Sequence, residues 1–470
     1  MKNIKINNTG SATIFMVLLL VPMIAFMCVV IFLAQLSAAK GMAADGISLA
    51  GNAIYASYNK PMRDAYGIYC YTKTPAELTE VANYHVNKSM EIDAQVNAVV
   101  VYEGESLAND ELFTQQIVDY MKNWDRVAGK VTVNHVLQMK AYREKALEIR
   151  EKLQADYDRA INSTYQETQT PEGDAVTARE NAVSTADASL LRLDFGGANN
   201  EDKPYYANYT SLINSAVPVI SYTNTSEVNV GYGISMLDCA NAYLQPIDQV
   251  YASMLAKDTN YKVALYAFNN FSAYNYFGCA SLTGNYFQSG DVVSISPWAE
   301  AEFILNGTDS DQKNAETVRD MIYNMLFMEY MARLYDICMS DTRVHEHAVT
   351  LSGGNPDKVE LIKDEFLVGI SANLAWDSLE KSYGFLENQG VTFASYPYYI
   401  ELFLMLDTQR DYQGMMGRMK YLIGENMRNP ASSQEAREFE FSKAYLMPSI
   451  DSYQVIVTPS FGGSVSFEGR

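Results

Sequence analysis

From Ala12 to Ala34 the chain carries no charged side chain and is mostly Leu, Val, Ile, Met and Phe. As a helix rising about 1.5 Å per residue, such a run crosses a ~30 Å hydrocarbon core. No other segment constrains the fold as strongly, because so much contiguous apolar surface must leave water somehow. The run predicts a transmembrane helix over 12–34, a short segment 1–11 before it and the bulk of the chain beyond it. A cleaved secretory signal is the rival reading. Its apolar region spans about 7–15 residues, shorter than this run, although Ser37-Ala38-Ala39 would suit cleavage after Ala39. Cys28 follows Ala25-Phe26-Met27, without the small residue expected before a lipidated cysteine.

Lys2 and Lys5 precede the run, whereas Lys40 and Asp45 nearly cancel after it. The positive-inside rule therefore predicts a cell-membrane, single-pass protein with segment 1–11 in the cytoplasm and the bulk extracytoplasmic. Pro22 lacks an N–H and should kink the helix. Beyond Gln35, small residues recur at helical spacing: Ala34, Ala38, Ala39, Ala43, Gly46 and Ala50. A smooth face of this kind lets helices approach closely. It serves either packing against copies and partners or coverage by the chain's own downstream domain.

The downstream part is rich enough to fold. Of 470 residues, 48% are hydrophobic and 12% aromatic, including 34 tyrosines. With 35 basic against 56 acidic residues and a net charge of -21, no basic stripe is present to neutralise phosphates, so nucleic acid is not an expected partner. Outside the apolar run lie Cys70, Cys239, Cys279 and Cys338, which allow two disulfides in three connectivities or serve as buried thiols. Their spacing contains no CxxC.

Periodicity outlines a helix-dominated α+β chain: a stem helix and small α/β region over 35–135, a helical hairpin over 136–195 and an α+β ectodomain over 196–470. A short helix is expected over Glu77–Lys88 and a strand over Ala94–Tyr102. Met139, Tyr142, Ala146, Ile149 and Leu153 form an amphipathic seam that Asp156 interrupts. Its return arm would be Asp174–Leu193, before the loop Gly196-Gly197-Ala198-Asn199-Asn200. Core helices are expected over Ala315–Met339, with a Met stripe at Met321, Met325 and Met328, over Asp364–Glu387, and over Pro397–Arg428 with a break near Arg410–Gly414. Alternation from Tyr453 to Phe467 around Gly462-Gly463 predicts C-terminal strands.

The run Gly10-Ser11-Ala12-Thr13-Ile14, the apolar span with Pro22 and the Ala- and Gly-rich continuation Ser37–Ala53 resemble the start of TadE/TadG-like pseudopilins, minor components of tight-adherence (Tad/Flp) pilus machines. That resemblance implies prepilin-type processing at Gly10 and Ser11, and helix packing through Ala34, Ala38, Ala43, Gly46 and Ala50. The glutamate usual shortly after such a glycine is absent, and Phe15 stands near its place. Most of the chain also resembles an uncharacterised Gram-positive bacterial family of single-span proteins, a domain of unknown function associated with Tad-type pilus loci. The matching residues are Ser37-Ala38-Ala39-Lys40, Tyr66-Gly67-Ile68-Tyr69, Gln115–Lys122, Glu300–Gly307 and Tyr399–Arg428. It implies location and company: membrane lipid through the first helix, and pilus or secretion components or like proteins as partners.

No catalytic constellation, cofactor motif or metal set emerges from the residues. His345-Glu346-His347 offers suitable zinc ligands at i and i+2, which point apart on a helix. Gly231-Tyr232-Gly233 lacks the third glycine of a dinucleotide loop and reads as a turn. Glu300, Glu302, Asp309 and Asp311 cluster around Asn306-Gly307, where paired carboxylates or a calcium site can be imagined, or where Asp309 or Asp311 caps the next helix. The expectation is a non-enzymatic, membrane-anchored, pseudopilin-like structural protein. The alternatives are a membrane-tethered hydrolase of wall or glycan using Glu300, Glu302 or Asp311, and a surface adhesin.

Overall fold

A computed structural model describes residues 9–90, 94–102, 106–122, 131–167, 191–192, 218–219, 230–273, 299–308, 311–382, 387–388, 391–392, 396–428, 439–446, 448–458 and 464–469. The fold is helix-dominated α+β and divides into two units, 1–113 with 427–470, and 114–426. The C-terminal strands thus belong with the stem. The expected boundary near Gly196 lies outside the described residues, as does the return arm Asp174–Leu193 except Leu191–Arg192 (β2), which pair with Pro218–Val219 (β3).

The first unit is organised by α1, a single helix Thr9–Tyr55 of 47 residues that continues through Pro22 and past the apolar run. Its first half exposes its apolar side chains, Phe15 at 65% and Leu33 at 55%. Each large apolar side chain left in water forgoes roughly 1.5–3 kcal/mol of burial, so this half suits an apolar surrounding. By length and composition it is able to cross a membrane.

The second half of α1 has a different neighbour. Ala39, Ala43, Gly46, Ala50 and Ile54, three or four residues apart, are buried along one face. They share a core with Leu78, Ala82 and Val86 of α3 (Pro75–Ser89), Val96, Ala98 and Val100 of β1 (Ala94–Tyr102), and Val455 and Val457 of β6. Spacing of four on α3 and two on β1 puts each set on one face of its element. At Gly46 a Cβ would lie 2.8 Å from Ser89 Oγ and 3.1 Å from Val86 Cγ1, so a larger residue would have to push these side chains aside where α1 approaches α3.

α3 starts on a capping box, Thr74 Oγ1 accepting from the Glu77 N–H and Glu77 Oε2 accepting from the Thr74 N–H. Before it, the seven-residue α2 (Lys60–Tyr66) closes on Gly67, whose φ of 69° is the left-handed conformation that favours glycine. The sheet runs β1-β6-β7 and is antiparallel, with β6 at Pro448–Val457 and β7 at Val465–Gly469. Val96 pairs with Val455 and Tyr102 with Pro448, through an irregularity at Val99/Val100.

The outer edge of β1 is closed by side chains instead of a strand. Asn83 donates to the Ala98 carbonyl at 3.3 Å and accepts from the Ala98 N–H at 2.6 Å. One turn on, Asn87 does the same for Val96 at 2.9 and 2.8 Å. One turn back, Thr79 Oγ1 accepts from the Val100 N–H at 3.0 Å. Four-residue spacing on α3 thereby matches two-residue spacing on β1, about 6 Å against about 7 Å. An open edge would template association.

The second unit packs α5 (Val133–Glu167), α6 (Val230–Tyr243), α7 (Ile247–Ala256), α8 (Thr259–Asn270), α9 (Glu300–Asn306), α10 (Asp311–Ser340), α11 (Thr342–Leu351), α12 (Pro356–Ser382), α13 (Tyr396–Arg410) and α14 (Tyr412–Met427). α4 (Asp110–Lys122) spans the division between units. α12 ends at Ser382, short of the expected Glu387, which instead joins β4 (Glu387–Asn388) and pairs with β5 (Val391–Thr392). Met321, Met325 and Met328 of α10 are fully buried, and every residue of α13 from Tyr396 to Thr408 is buried. The break at Asp411 falls within the expected interval; the Asp411 side chain accepts from the Gly414 N–H at 3.2 Å as α14 begins.

Two substitutions test the first unit. Gly46→Val overpacks the α1–α3 contact and should lower stability by about 1–3 kcal/mol, seen as a lower thermal midpoint; an unchanged midpoint would show that the helices part without cost. Asn83→Leu leaves the Ala98 N–H and C=O unserved, at a cost of about 1–3 kcal/mol, and should speed amide exchange along β1.

Candidate functional site

The acidic cluster resolves into the fold's own supports. Glu300 opens α9, where a carboxylate complements the helix N-terminus, and accepts from the Ser272 N–H at 2.7 Å, the Ser272 hydroxyl at 2.8 Å and the Asn426 side-chain amide. Glu302 is wholly buried and accepts from the Tyr396 hydroxyl. Neither faces solvent. Asp309 and the side chain of Asp311 lie outside the described residues. α9 ends on Gly307 at φ 67°, and Thr308 and Asn314 then bond reciprocally, Thr308 N–H to Asn314 Oδ1 at 3.1 Å and Asn314 Nδ2 to the Thr308 carbonyl at 2.9 Å.

The second unit carries further buried carboxylates, which the sequence reading did not single out. α13, buried on every side from Tyr396 to Thr408, brings Glu401 and Asp407 inside, and α10 brings in Glu329 largely buried. Tyr399 donates to Glu329 at 3.2 Å, and Arg333 lies 3.6 Å from the same carboxylate while donating to the Tyr142 hydroxyl at 2.7 Å. Burial pushes the Glu329 carboxyl from 4.5 up to about 7, opposed by Arg333 and Tyr399. Glu401 accepts from the Val131 N–H at 3.2 Å. A tyrosine hydroxyl on Glu329, as on Glu302, is one use to which the abundant tyrosine is put.

A third group surrounds Arg418, the largest fully buried side chain among the described residues. It reaches Asp407 at 3.0 Å and Asp411 at 2.9 Å, and donates through Nε to the Ile304 carbonyl near the end of α9. Burial raises Asp407 to about 7 against the pull of Arg418. On the same helix Arg410 donates to the carbonyls of Ala242 and Tyr243 at 2.7 and 2.6 Å, satisfying the end of α6. These charges bind helix ends to one another; a buried ion pair of this kind contributes more to geometry than to net stability.

The remaining candidates stay apart. His345 and Glu346 are exposed on α11, and the His347 side chain lies outside the described residues. Among the described residues no three His, Cys, Asp or Glu side chains are grouped to hold a metal ion. Gly231-Tyr232-Gly233 is not the expected turn but the start of α6; a Cβ at Gly233 would lie 2.5 Å from Val368 Cγ2 of α12, so the glycine there serves the meeting of two helices. Cys70, Cys239 and Cys338 are buried and no disulfide joins them, while Cys279 lies outside the described residues. Burial raises the Cys239 thiol to about 12, which makes it a poor nucleophile.

Gly10 and Ser11 lie in the first turn of α1. Of the small residues after the apolar run, Ala43, Gly46 and Ala50 face the unit's own core, whereas Ala34 and Ala38 are exposed. Comparison with protein-family models, curated proteins and solved structures finds no match to this chain. The functional reading therefore rests on α1, whose exposed apolar half is the one large surface among the described residues that requires a partner. Asp156, which interrupts the seam of α5 in sequence, does not interrupt the helix: it is buried, with Arg159 at 2.7 Å.

Glu329 makes stability depend on pH. Its pKa is higher folded than unfolded, so the folded chain holds the extra proton between 4.5 and about 7. Its contribution is complete below that interval and is lost as pH rises through it. Urea unfolding should show stability falling from about pH 5 to about pH 8, with Glu329→Gln making the fall shallower and leaving the part due to Asp407 and Asp364; a variant as steep as the wild type would assign the dependence elsewhere.

Proposed function

We propose that this chain is a membrane-anchored, pseudopilin-like structural protein that helps assemble or decorate a Tad-type surface appendage. The apolar half of α1 spans the membrane with residues 1–11 in the cytoplasm, and both folded units lie outside. The observation that carries the reading is the continuity of α1: one helix leaves the apolar span and enters the core of the first unit without a linker. A tether needs only a span and a flexible joint, whereas a stem needs the domain fixed to the span. The buried, bonded state of Glu300 and Glu302 favours this non-enzymatic role over the hydrolase alternative, because a wall or glycan polymer must reach its carboxylates.

Partner contact then falls on the exposed side of α1. A photocrosslinking residue at Ala34 or Ala38, exposed positions, should capture pilus or secretion components or a like protein in intact membranes. The same probe at Ala43, which faces the core, should give none. Deletion of the gene should abolish or reduce piliation. Unchanged piliation, with no pilus component recovered from any position, would overturn the proposal.

A further inference from the structure

Where α5 packs on α12, one ammonium group serves three carboxylates. Lys152 Nζ lies 3.8 Å from Asp156 Oδ2, 3.8 Å from Glu360 Oε2 and 3.9 Å from Asp364 Oδ1, beyond hydrogen-bonding distance from each. Two of the three have other partners: Lys363 is 3.1 Å from Glu360, and Arg159 is 2.7 Å from Asp156. Asp364 differs. Its side chain is fully buried and both oxygens lack a hydrogen-bond donor, as does Asp156 Oδ2. Asp156 Oδ2 and Asp364 Oδ1 flank the same ammonium group from the two sides of the seam, and two such acceptors bond to each other only if a proton lies between them.

The surrounding groups leave the pair to itself. From α10, the Tyr335 ring lies under Lys152 at 5.1 Å and Lys145 at 5.0 Å, and Met339 Sδ accepts from Lys152 at 3.6 Å. From α6, Asp238 is taken by Arg150 at 2.9 Å, and that helix meets α12 through Gly233 against Val368. On α11, His345 and Glu346 are exposed. The charges acting on Asp364 are therefore Lys152, which favours ionisation, and Asp156 and Glu360, which with burial oppose it; burial dominates and holds the carboxyl protonated up to about pH 7.

We propose that the Asp156–Asp364 pair is a proton-operated latch between α5 and α12: the shared proton closes the seam, and its loss to solvent sets two buried carboxylates against each other and loosens α12. This inference stands apart from the assembly role, since it concerns only helices of the second unit.

Hydrogen exchange of the full-length protein in detergent micelles, followed by mass spectrometry and corrected for intrinsic rates, tests it. Peptides from 149–160 and 356–372 should exchange at least about tenfold faster at about pH 8 than at about pH 5.5, with β1 unchanged. Asp364→Asn supplies a neutral donor at both pH values and should reduce the difference below about twofold. Asp156→Asn leaves Asp364 with Lys152 and without its repelling neighbour, so the midpoint should move to lower pH. Equal wild-type exchange at both pH values, or an Asp364→Asn variant keeping the full difference, would overturn the latch. Should Asp364→Asn fail to fold, the Asp156→Asn midpoint decides, an unshifted value rejecting the proposal.

Discussion

The first unit depends on one helix meeting two surroundings. α1 exposes apolar side chains all round until about Leu33 and then narrows to a single buried face at Ala39, Ala43, Gly46, Ala50 and Ile54. The change is one of side-chain size and polarity, not of backbone, since the helix is unbroken from Thr9 to Tyr55. A wide apolar perimeter suits lipid, where every direction is equally oily; a smooth narrow stripe suits another helix and a sheet. Because no flexible residue separates the two, the orientation of the core follows that of the apolar half.

The second unit meets a different constraint. Its innermost helices carry acids, and each acid must find a donor or give up its charge. Glu302 has Tyr396, Glu329 has Tyr399 and Arg333, Glu401 has a backbone N–H, and Asp407 has Arg418. Tyr396, Tyr399 and Arg418 come from other helices than the acids they meet, so those pairings fix one helix against another. Asp364 has no donor within hydrogen-bonding distance among the described residues, only Lys152 at 3.9 Å beside a second acid, and that gives the seam between α5 and α12 its character.

Much of this was legible where local chemistry decides structure. The strand Ala94–Tyr102 was readable to the residue because Val and polar residues alternate. The helix expected over Glu77–Lys88, which runs from Pro75 to Ser89, was readable from its apolar spacing, and the interruption at Asp411 from the Gly-containing stretch after Arg410. Legibility failed where burial surrounds an element. α6, with residues buried on nearly all faces, shows no amphipathic period, and Gly231-Tyr232-Gly233 resembles a turn until Val368 is placed against it. Glu300 and Glu302 looked like chemistry because their donors, Ser272, Tyr396 and Asn426, are remote in sequence. The pairing of β1 with β6, about three quarters of the chain apart, leaves no local trace.

The small-residue face of α1 also determines how the first unit bears a load. A pull along α1 from its apolar end runs parallel to the interface with α3, so Ala39, Ala43, Gly46, Ala50 and Ile54 are stressed together in shear instead of being peeled in turn. The side-chain bonds from Asn83, Asn87 and Thr79 pass that stress from α3 to β1, and strand pairing carries it to β6. Tension on the stem is thus shared between helix and sheet.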